Sequence, residues 1–171
     1  MMVLLLSNRK NKCENEIIEI LQKYGAQYIS DKYVSNDKGD FTILSIYKKC
    51  ELKINKGIAV FLDNKCRFSD QKIPVGIIGI CEEENFSALE ILKNNKIATV
   101  CCGMGNKNSI TLSSVGNDAL FTCLQRSLQN SDGEIIEQGE YKIKLTKSYL
   151  PFSVMASAAI LLLKGITPYE F

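Results

Sequence analysis

The stretch that decides the fold is Val75-Gly76-Ile77-Ile78-Gly79-Ile80, which contains no polar side chain. A strand that is apolar on both faces is typical of the centre of a parallel sheet that helices cover on each side. Downstream, Asn85 or Ser87 can cap a helix, and the apolar run Ile97 to Cys102 then predicts another strand. Strand, helix and strand at this spacing predict a right-handed βαβ unit.

The sequence before this core strand predicts one more helix and three more strands. The run Val3 to Leu6 reads as a buried strand, and apolar residues at helical spacing then predict a helix that ends at Gly25. A turn signal at Asn36 to Asp40 precedes two predicted strands, Phe41 to Tyr47 and Gly57 to Leu62. The N-terminal part therefore adds strands to the same sheet.

The sequence after Cys102 changes character. Three β segments are expected at Ser109 to Val115, Ala119 to Leu124 and Glu134 to Leu145. They are separated by turn signals at Gly116-Asn117-Asp118 and Ser131-Asp132-Gly133, which is the spacing of antiparallel neighbours. This region predicts an antiparallel extension of the parallel sheet.

A last helix is expected from Pro151 to Lys164, with Gly165 as its C-terminal cap. Its small residues Ala156 to Ala159 would allow close packing against the sheet or against another subunit, and core packing is favoured. The fold class predicted for residues 1–171 is a single α/β domain: a three-layer, Rossmann-like, mostly parallel sheet with an antiparallel β extension.

Composition narrows the class of protein. The chain has 171 residues, 46% of them hydrophobic and 23% charged, which is typical of one globular domain. Lys and Arg number 21 and Asp and Glu 19, so the net charge of +2 argues against a nucleic-acid partner. The basic stretches Arg9 to Lys12 and Lys48 to Lys56 lack interleaved aromatic residues and are expected to be solvated faces.

The cysteines and the apolar runs predict a cytoplasmic protein. Seven cysteines at irregular spacing do not form the framework of a secreted disulfide-rich domain. No basic region precedes the apolar residues near Met1, so they do not read as a signal peptide. The run Val154 to Leu163 has about half the length of a membrane span, so no membrane association is expected.

Several chemistries are absent from the sequence. It contains no histidine, which excludes a Ser-His-Asp triad, a histidine general base and histidine-containing zinc sites. It also lacks the Gly-x-x-x-x-Gly-Lys-Ser/Thr phosphate loop. The turn Gly103-Met104-Gly105-Asn106-Lys107 follows a strand but leads into a β segment, so a plain tight turn is favoured over a phosphate-binding loop.

The candidate ligand-binding residues lie after two neighbouring strands. The acidic cluster with Glu82 and Glu83 could serve Mg²⁺, although acidic residues before a helix are favoured by the helix dipole alone. Cys102 would be reactive if Lys107 lowered its pKa, and otherwise Cys101 and Cys102 are one buried thiol and one near the surface. The candidate set is Glu82, Glu83, Asn85, Cys102, Gly103, Gly105 and Lys107, with no metal and no cofactor predicted.

The order of elements from Ile80 onward resembles the second half of the central domain of the Mur ligase family, the ATP-dependent peptide-bond-forming enzymes of cell-wall synthesis. Ile80 to Asn85 stands where that family has an Asn-x-Asp-Asp turn, and Ile97 to Gly103 resembles its strand ending in glycine. Ser109 to Leu145 matches its strand-rich stretch, and Tyr149 to Ile166 resembles its Ala-rich helix ending in Leu-Gly-Ile.

The chain differs from the family at the residues that carry out the ligase reaction. The family opens the Ala-rich helix with His-Asn-x-x-Asn, which serves the nucleotide, whereas this chain has Tyr149, Leu150 and Ser153 there. The phosphate loop, the metal-binding histidine and the C-terminal amino-acid-binding domain have no counterpart in the sequence. The resemblance therefore implies a Mur-ligase-like scaffold without the residues of the ligase reaction.

Three functions follow from these observations. The first is a non-catalytic module that binds a small molecule or a protein at the crevice of Cys81 to Asn85 and Gly103 to Lys107. The second is a small enzyme that uses carboxylates, lysine or a thiol in the same crevice. The third is a structural or assembly protein, with a homo-oligomer as one form of it.

Overall fold

The computed structural model describes residues 1–30, 32–35, 39–65, 68, 70–115, 119–130 and 132–171, without the side chains of residues 114 and 115. The turn predicted at Gly116-Asn117-Asp118 lies outside the described residues, and the turns predicted at Asn36 to Asp40 and at Ser131 to Gly133 lie partly outside them.

The described residues form eleven strands and three helices. In chain order these are β1 Met2–Leu6, α1 Lys12–Lys23, β2 Ala26–Ile29, β3 Phe41–Ile46, β4 Gly57–Phe61, β5 Ile77–Glu82, α2 Phe86–Asn94, β6 Ala98–Cys102, β7 Ile110–Val115, β8 Ala119–Leu124, β9 Leu128–Gln129, β10 Ile135–Ile136, β11 Gly139–Lys144 and α3 Pro151–Leu163.

Nine of these strands form one sheet in the order β11-β8-β7-β6-β5-β4-β1-β3-β2, while β9 and β10 pair separately. All neighbours from β2 to β7 are parallel. The pairs β7–β8 and β8–β11 are antiparallel. The predicted fold class is therefore confirmed: the chain is an α/β protein with a mostly parallel sheet and an antiparallel extension.

The sheet is covered on both faces, as its apolar strands require. Along β1, Val3 and Leu5 join one hydrophobic core and Leu4 and Leu6 join another, because successive side chains of a strand point to opposite faces. Helices α1 and α3 cover the first face, and α2 covers the second. No helix among the described residues is both long and apolar enough to cross a membrane.

Helix α3 is buried along almost its whole length, from Phe152 to Leu163. It packs against α1 and against the central strands β5, β6 and β7. The small residues Ala156 and Ala158 are fully buried there, which confirms the prediction that they serve core packing. The predicted C-terminal cap is also confirmed, since Gly165 has a φ of +78°.

The structure corrects two predicted strands and adds two, β2 and the two-residue strand β9. The core strand begins at Ile77, because Gly76 turns the chain with a φ of +99° and leaves the Val75 side chain 86% exposed. The segment predicted from Glu134 to Leu145 is broken into β10 and β11. Strand β2 was not predicted, because it has only four residues and directly follows the Gly25 cap.

The chain winds in two directions from β1. It leaves β1 through α1 and goes to β2 at one edge, whereas β4 and the strands after it lie on the other side of β1. Open α/β sheets bind ligands outside the carboxyl ends of their strands, at the point where the winding reverses. That point here lies between β1 and β4, next to the loop Ser7 to Asn11.

Replacing Gly76 with alanine tests the corrected start of β5. A Cβ atom at residue 76 would overlap the carbonyl oxygen of Asn55, and the positive φ adds backbone strain. We expect Gly76→Ala to lower the free energy of unfolding by about 1 to 3 kcal/mol, measured by urea denaturation. The matched control Gly139→Ala, where the nearest atom lies 3.9 Å away, should change it by less than about 0.5 kcal/mol. Equal values for both variants would contradict this account.

Candidate ligand-binding site

The structure brings Glu83 and the glycine turn together at the carboxyl ends of β5 and β6. The backbone N–H of Glu83 donates to the Cys102 carbonyl at 2.9 Å. Its carboxylate accepts from the Met104 backbone N–H at 3.1 Å through Oε1 and from Asn108 Nδ2 at 2.6 Å through Oε2. These hydrogen bonds, first the one from Asn108, lower the pKa of Glu83.

Gly103 and Gly105 are needed for this contact. A Cβ atom at Gly103 would overlap the Glu83 carboxyl group, and one at Gly105 would come within 3.1 Å of Glu83 Oε2. The two glycines therefore let a carboxylate approach the backbone of the turn. Glu83, one of the two acidic residues considered for Mg²⁺, therefore holds the turn through its carboxylate.

Two other predicted residues, Asn85 and Cys102, are turned inward. The Asn85 side chain caps α2 by accepting from the Ala88 N–H at 3.0 Å and donates to the Asp63 carbonyl at 3.1 Å. Cys102 is 0% exposed, and burial raises the pKa of its thiol. As the structure stands, neither side chain is presented to a ligand at the crevice.

The last two predicted ligand-binding residues, Glu82 and Lys107, are accessible to solvent. No contact among the described residues joins their side chains. Glu82 is half-buried, and its pKa is raised by burial and by the nearby charges of Glu84 and Glu83. Lys107 is exposed, and its backbone carbonyl accepts from Arg126 Nη2 at 2.7 Å. Among the described residues no group of three or more Cys, Asp and Glu side chains could hold a metal ion.

Cys81 and Cys101 are a pair that the sequence did not single out. They are directly opposite each other on the parallel strands β5 and β6, and their thiols are hydrogen-bonded. The hydrogen bond from Cys81 and the charge of Arg126 lower the pKa of Cys101 to about 7, and burial opposes them. Cys101 is half-buried, so its thiol is accessible in part.

A second candidate site lies closer to the point where the winding reverses. It is a cavity of about 350 Å³ at the carboxyl ends of β1, β2 and β3, next to the loop that enters α1. Three cationic and three aromatic side chains line it: Arg9, Lys10, Lys32, Tyr28, Tyr33 and Tyr47. Its lining among the described residues includes no acidic side chain, so the cavity has a positive rim.

The aromatic rings of this cavity are arranged as a partial stack. The Tyr28 and Tyr33 ring centroids lie 5.9 Å apart with planes tilted by 30°. The Lys10 ammonium lies 5.9 Å from the centre of the Tyr28 ring, within the range of a cation–π contact. Tyr28 is buried and Tyr33 is exposed, so the rings run from the interior to the rim.

Glu14, in the first turn of α1, anchors the cavity from beneath. Its side chain is 0% exposed, and Oε1 accepts from the hydroxyl groups of Tyr47, at 2.6 Å, and of Ser45. The Tyr28 hydroxyl lies 3.1 Å from Ser45 Oγ. Glu14 Oε2 is buried without a hydrogen-bond partner among the described residues. Two of the tyrosines are therefore held by one buried polar network.

Asp63 fixes the loop that forms the other wall. This residue follows β4, and its carboxylate accepts from the Asn8 backbone N–H and from Asn11 Nδ2, the latter at 3.4 Å. Asn11 caps α1 by accepting from the Glu14 N–H at 2.9 Å. The loop is thus tied both to its own helix and to the neighbouring strand.

This cavity was not predicted from the sequence. Arg9 and Lys10 were interpreted as part of a solvated face, and the tyrosines come from two separate segments of the chain, 28–33 and the end of β3. The one signal available was position: two basic residues follow the first strand and precede the helix cap Asn11, where α/β folds place their ligand loops.

The hydrogen bonds of Glu83 make the stability of the protein depend on pH. A carboxylate with a lowered pKa stabilises the fold above its unfolded pKa, near 4.5, and this contribution is lost as the pH falls through the folded value. We expect Glu83→Gln to lower the midpoint of thermal unfolding at neutral pH and to weaken its dependence on pH below 4.5. The control is Glu84→Gln, because the exposed Glu84 side chain has no hydrogen bond among the described residues. Parallel pH curves for wild type and Glu83→Gln would argue against this role.

Alkylation kinetics test the thiol pair. We expect iodoacetamide to modify Cys101 at a rate that rises with a midpoint at pH of about 7, as followed by peptide mass spectrometry. Cys102 should stay unmodified in the folded protein because it is fully buried. Cys81→Ala removes the hydrogen-bond donor and should move the Cys101 midpoint to higher pH. An unchanged midpoint in that variant would show that Cys81 does not control Cys101.

No protein-family model matches the sequence, and no curated protein does. Among solved structures, the fold is similar to that of the murein peptide ligase Mpl from Psychrobacter arcticus 273-4, with a TM-score of 0.56 and 10% sequence identity. The match covers 97% of this chain and 44% of the ligase, so the chain spans less than half the length of that enzyme. At this identity the likeness concerns the fold alone, and the chain has a Mur-ligase-like fold.

Proposed function

We propose that this protein is a non-catalytic binding domain whose ligand is a small anion with a planar ring, held in the cavity between the β1–α1 loop and Tyr28, Tyr33 and Tyr47. The observation that carries the proposal is the lining of that cavity, which joins three cations to three aromatic rings at the ligand-binding edge of an α/β sheet. The Mur-ligase-like fold supports a binding site at this edge.

The lining matches the two parts of such a ligand. Arg9, Lys10 and Lys32 can hold a phosphate or carboxylate by charge-assisted hydrogen bonds. Tyr33 offers an exposed ring face, on which a flat group can stack. The cations are exposed, so each contributes about 0.5 to 1 kcal/mol and the affinity should be modest and sensitive to salt.

The absence of catalysis is inferred from the sequence. The chain has no histidine and no phosphate loop, and the polar residues around the cavity are cations, tyrosines and amide or hydroxyl groups. Two carboxyl groups bind residues of the lining, and neither is itself part of the lining: Glu14 is fully buried behind the hydroxyl groups of Ser45 and Tyr47, and Asp63 accepts hydrogen bonds from Asn8 and Asn11. We therefore favour binding over a small enzyme that uses carboxylate, lysine or thiol groups.

A protein partner at the crevice of Cys81 to Asn85 and Gly103 to Lys107 is the second candidate function. Phe86 and Met104 flank that crevice with side chains that are 76% and 67% exposed. Large exposed apolar side chains at a loop edge are a feature of protein-binding surfaces. A second copy of the chain is one such partner, and it would make this protein a homo-oligomer.

The binding proposal predicts a ligand-dependent increase in stability. We expect phenyl phosphate at about 100 times its dissociation constant to raise the free energy of unfolding by about 2.7 kcal/mol, measured by thermal unfolding at low salt. The double variant Lys10→Ala, Lys32→Ala should bind it about 5- to 30-fold more weakly, since two charge contacts are lost.

The matched control removes two exposed lysines elsewhere, Lys142 on β11 and Lys93 at the end of α2. This variant has the same net charge as the test variant and should bind like the wild type. If both variants bound phenyl phosphate more weakly by the same factor, the net charge of the protein would explain the loss, and the position of the lysines would not. A wild-type protein that binds neither phenyl phosphate nor pyrophosphate would overturn the proposal and leave the protein-partner function.

A further inference from the structure

The direction of the hydrogen bonds beneath the cavity can be assigned from the number of hydrogens available. A hydroxyl group carries one hydrogen and can therefore donate one hydrogen bond. The Ser45 hydroxyl donates to Glu14 Oε1, and the Tyr47 hydroxyl donates to the same oxygen at 2.6 Å. Both hydrogens are thus directed inward, toward a carboxyl group that is fully buried.

The bond between Tyr28 and Ser45 follows from this assignment. Either of the two hydroxyl oxygens, 3.1 Å apart, could be the donor by geometry alone. Because the only hydrogen of Ser45 lies on Glu14, Tyr28 must donate to Ser45. Tyr28 and Tyr47 both line the cavity. The hydroxyl group of each therefore donates its hydrogen bond to a residue of the interior, Ser45 or Glu14, and not to the cavity.

Tyr47 consequently faces the cavity as a hydrogen-bond acceptor. Its side chain is partly exposed, whereas that of Tyr28 is buried, so Tyr47 is the one of these two phenols that a ligand can reach. Burial and the hydrogen bond to Glu14 raise the pKa of Tyr47, so the group stays a neutral phenol in the physiological range. Its oxygen keeps lone pairs that can accept from a ligand.

We infer that the ligand of this cavity carries an amino or hydroxyl group that donates a hydrogen bond to the Tyr47 phenol oxygen, at the end of the molecule opposite its phosphate or carboxylate. This inference rests on the proposed function, because it assumes that an anion occupies the rim formed by Arg9, Lys10 and Lys32. A ligand that presents an acceptor to Tyr47 would leave two oxygens facing each other without a hydrogen between them.

Three aryl phosphates of equal charge test the inference: phenyl phosphate, 4-aminophenyl phosphate and 4-methoxyphenyl phosphate. The amino compound can donate to Tyr47, the methoxy compound can only accept, and the unsubstituted compound does neither. We expect isothermal titration calorimetry to show the amino compound binding about 2- to 10-fold tighter than the methoxy compound, which is the range for one hydrogen bond.

The variant Tyr47→Phe tests whether the Tyr47 phenol causes the preference for the amino compound. The variant keeps the ring and removes the phenol oxygen, so it should bind the amino and methoxy compounds with equal affinity. Tyr169→Phe is the matched control, because Tyr169 is exposed, does not line this cavity, and should leave the preference unchanged. Circular dichroism would verify folding of both variants, and if Tyr47→Phe did not fold, the wild-type series alone would decide.

The outcomes separate the inference from the proposed function. Equal binding of all three phosphates to the wild type, or tighter binding of the methoxy compound, would overturn the inference and leave anion binding standing. A preference that survives in Tyr47→Phe would overturn the assignment to Tyr47. Absence of binding by every phosphate would overturn the proposed function, and the inference would fall with it.

Discussion

The requirement that a parallel sheet be covered on both faces governs this structure. Strands β1, β4 and β5 are buried on each side, so apolar layers must pack above and below them. Helix α3 meets most of this requirement on one face, and it is apolar around its whole circumference because it lies between α1 and the sheet. The loops that carry polar chemistry are consequently restricted to the ends of the strands.

The elements with strong periodic or apolar patterns were predictable from the sequence, and the weakly patterned ones were not. Strand β8 and the start of α3 lie where their residues indicate, because Ala119 to Leu124 and Pro151 carry unambiguous signals. Val75 and Gly76 extended the predicted core strand wrongly, since hydrophobicity alone cannot report a positive φ. The four residues of β2 are too few to establish any period.

The candidate residues show a similar division. Sequence position correctly indicated that Glu83 and Gly103 lie at neighbouring strand ends, but it could not show that the Glu83 carboxylate binds the glycine turn through Met104 and Asn108. The tyrosine cavity could not be found from the sequence, because the order of β1, β3 and β2 in the sheet is what brings Tyr47 and the β1–α1 loop to Tyr28 and Tyr33. Assigning it requires the strand order, which a single sequence does not contain.

Asp63 joins the two halves of the sheet by hydrogen bonds at the point where they meet. The carboxylate belongs to the half that winds toward β5, while Asn8 and Asn11 belong to the half that winds toward β2. A sliding of one half against the other would have to break these bonds as well as the backbone ladder between β1 and β4. The wall of the cavity is therefore held in place by hydrogen bonds that need no ligand, which lowers the free energy that an occupant would lose to ordering the loop.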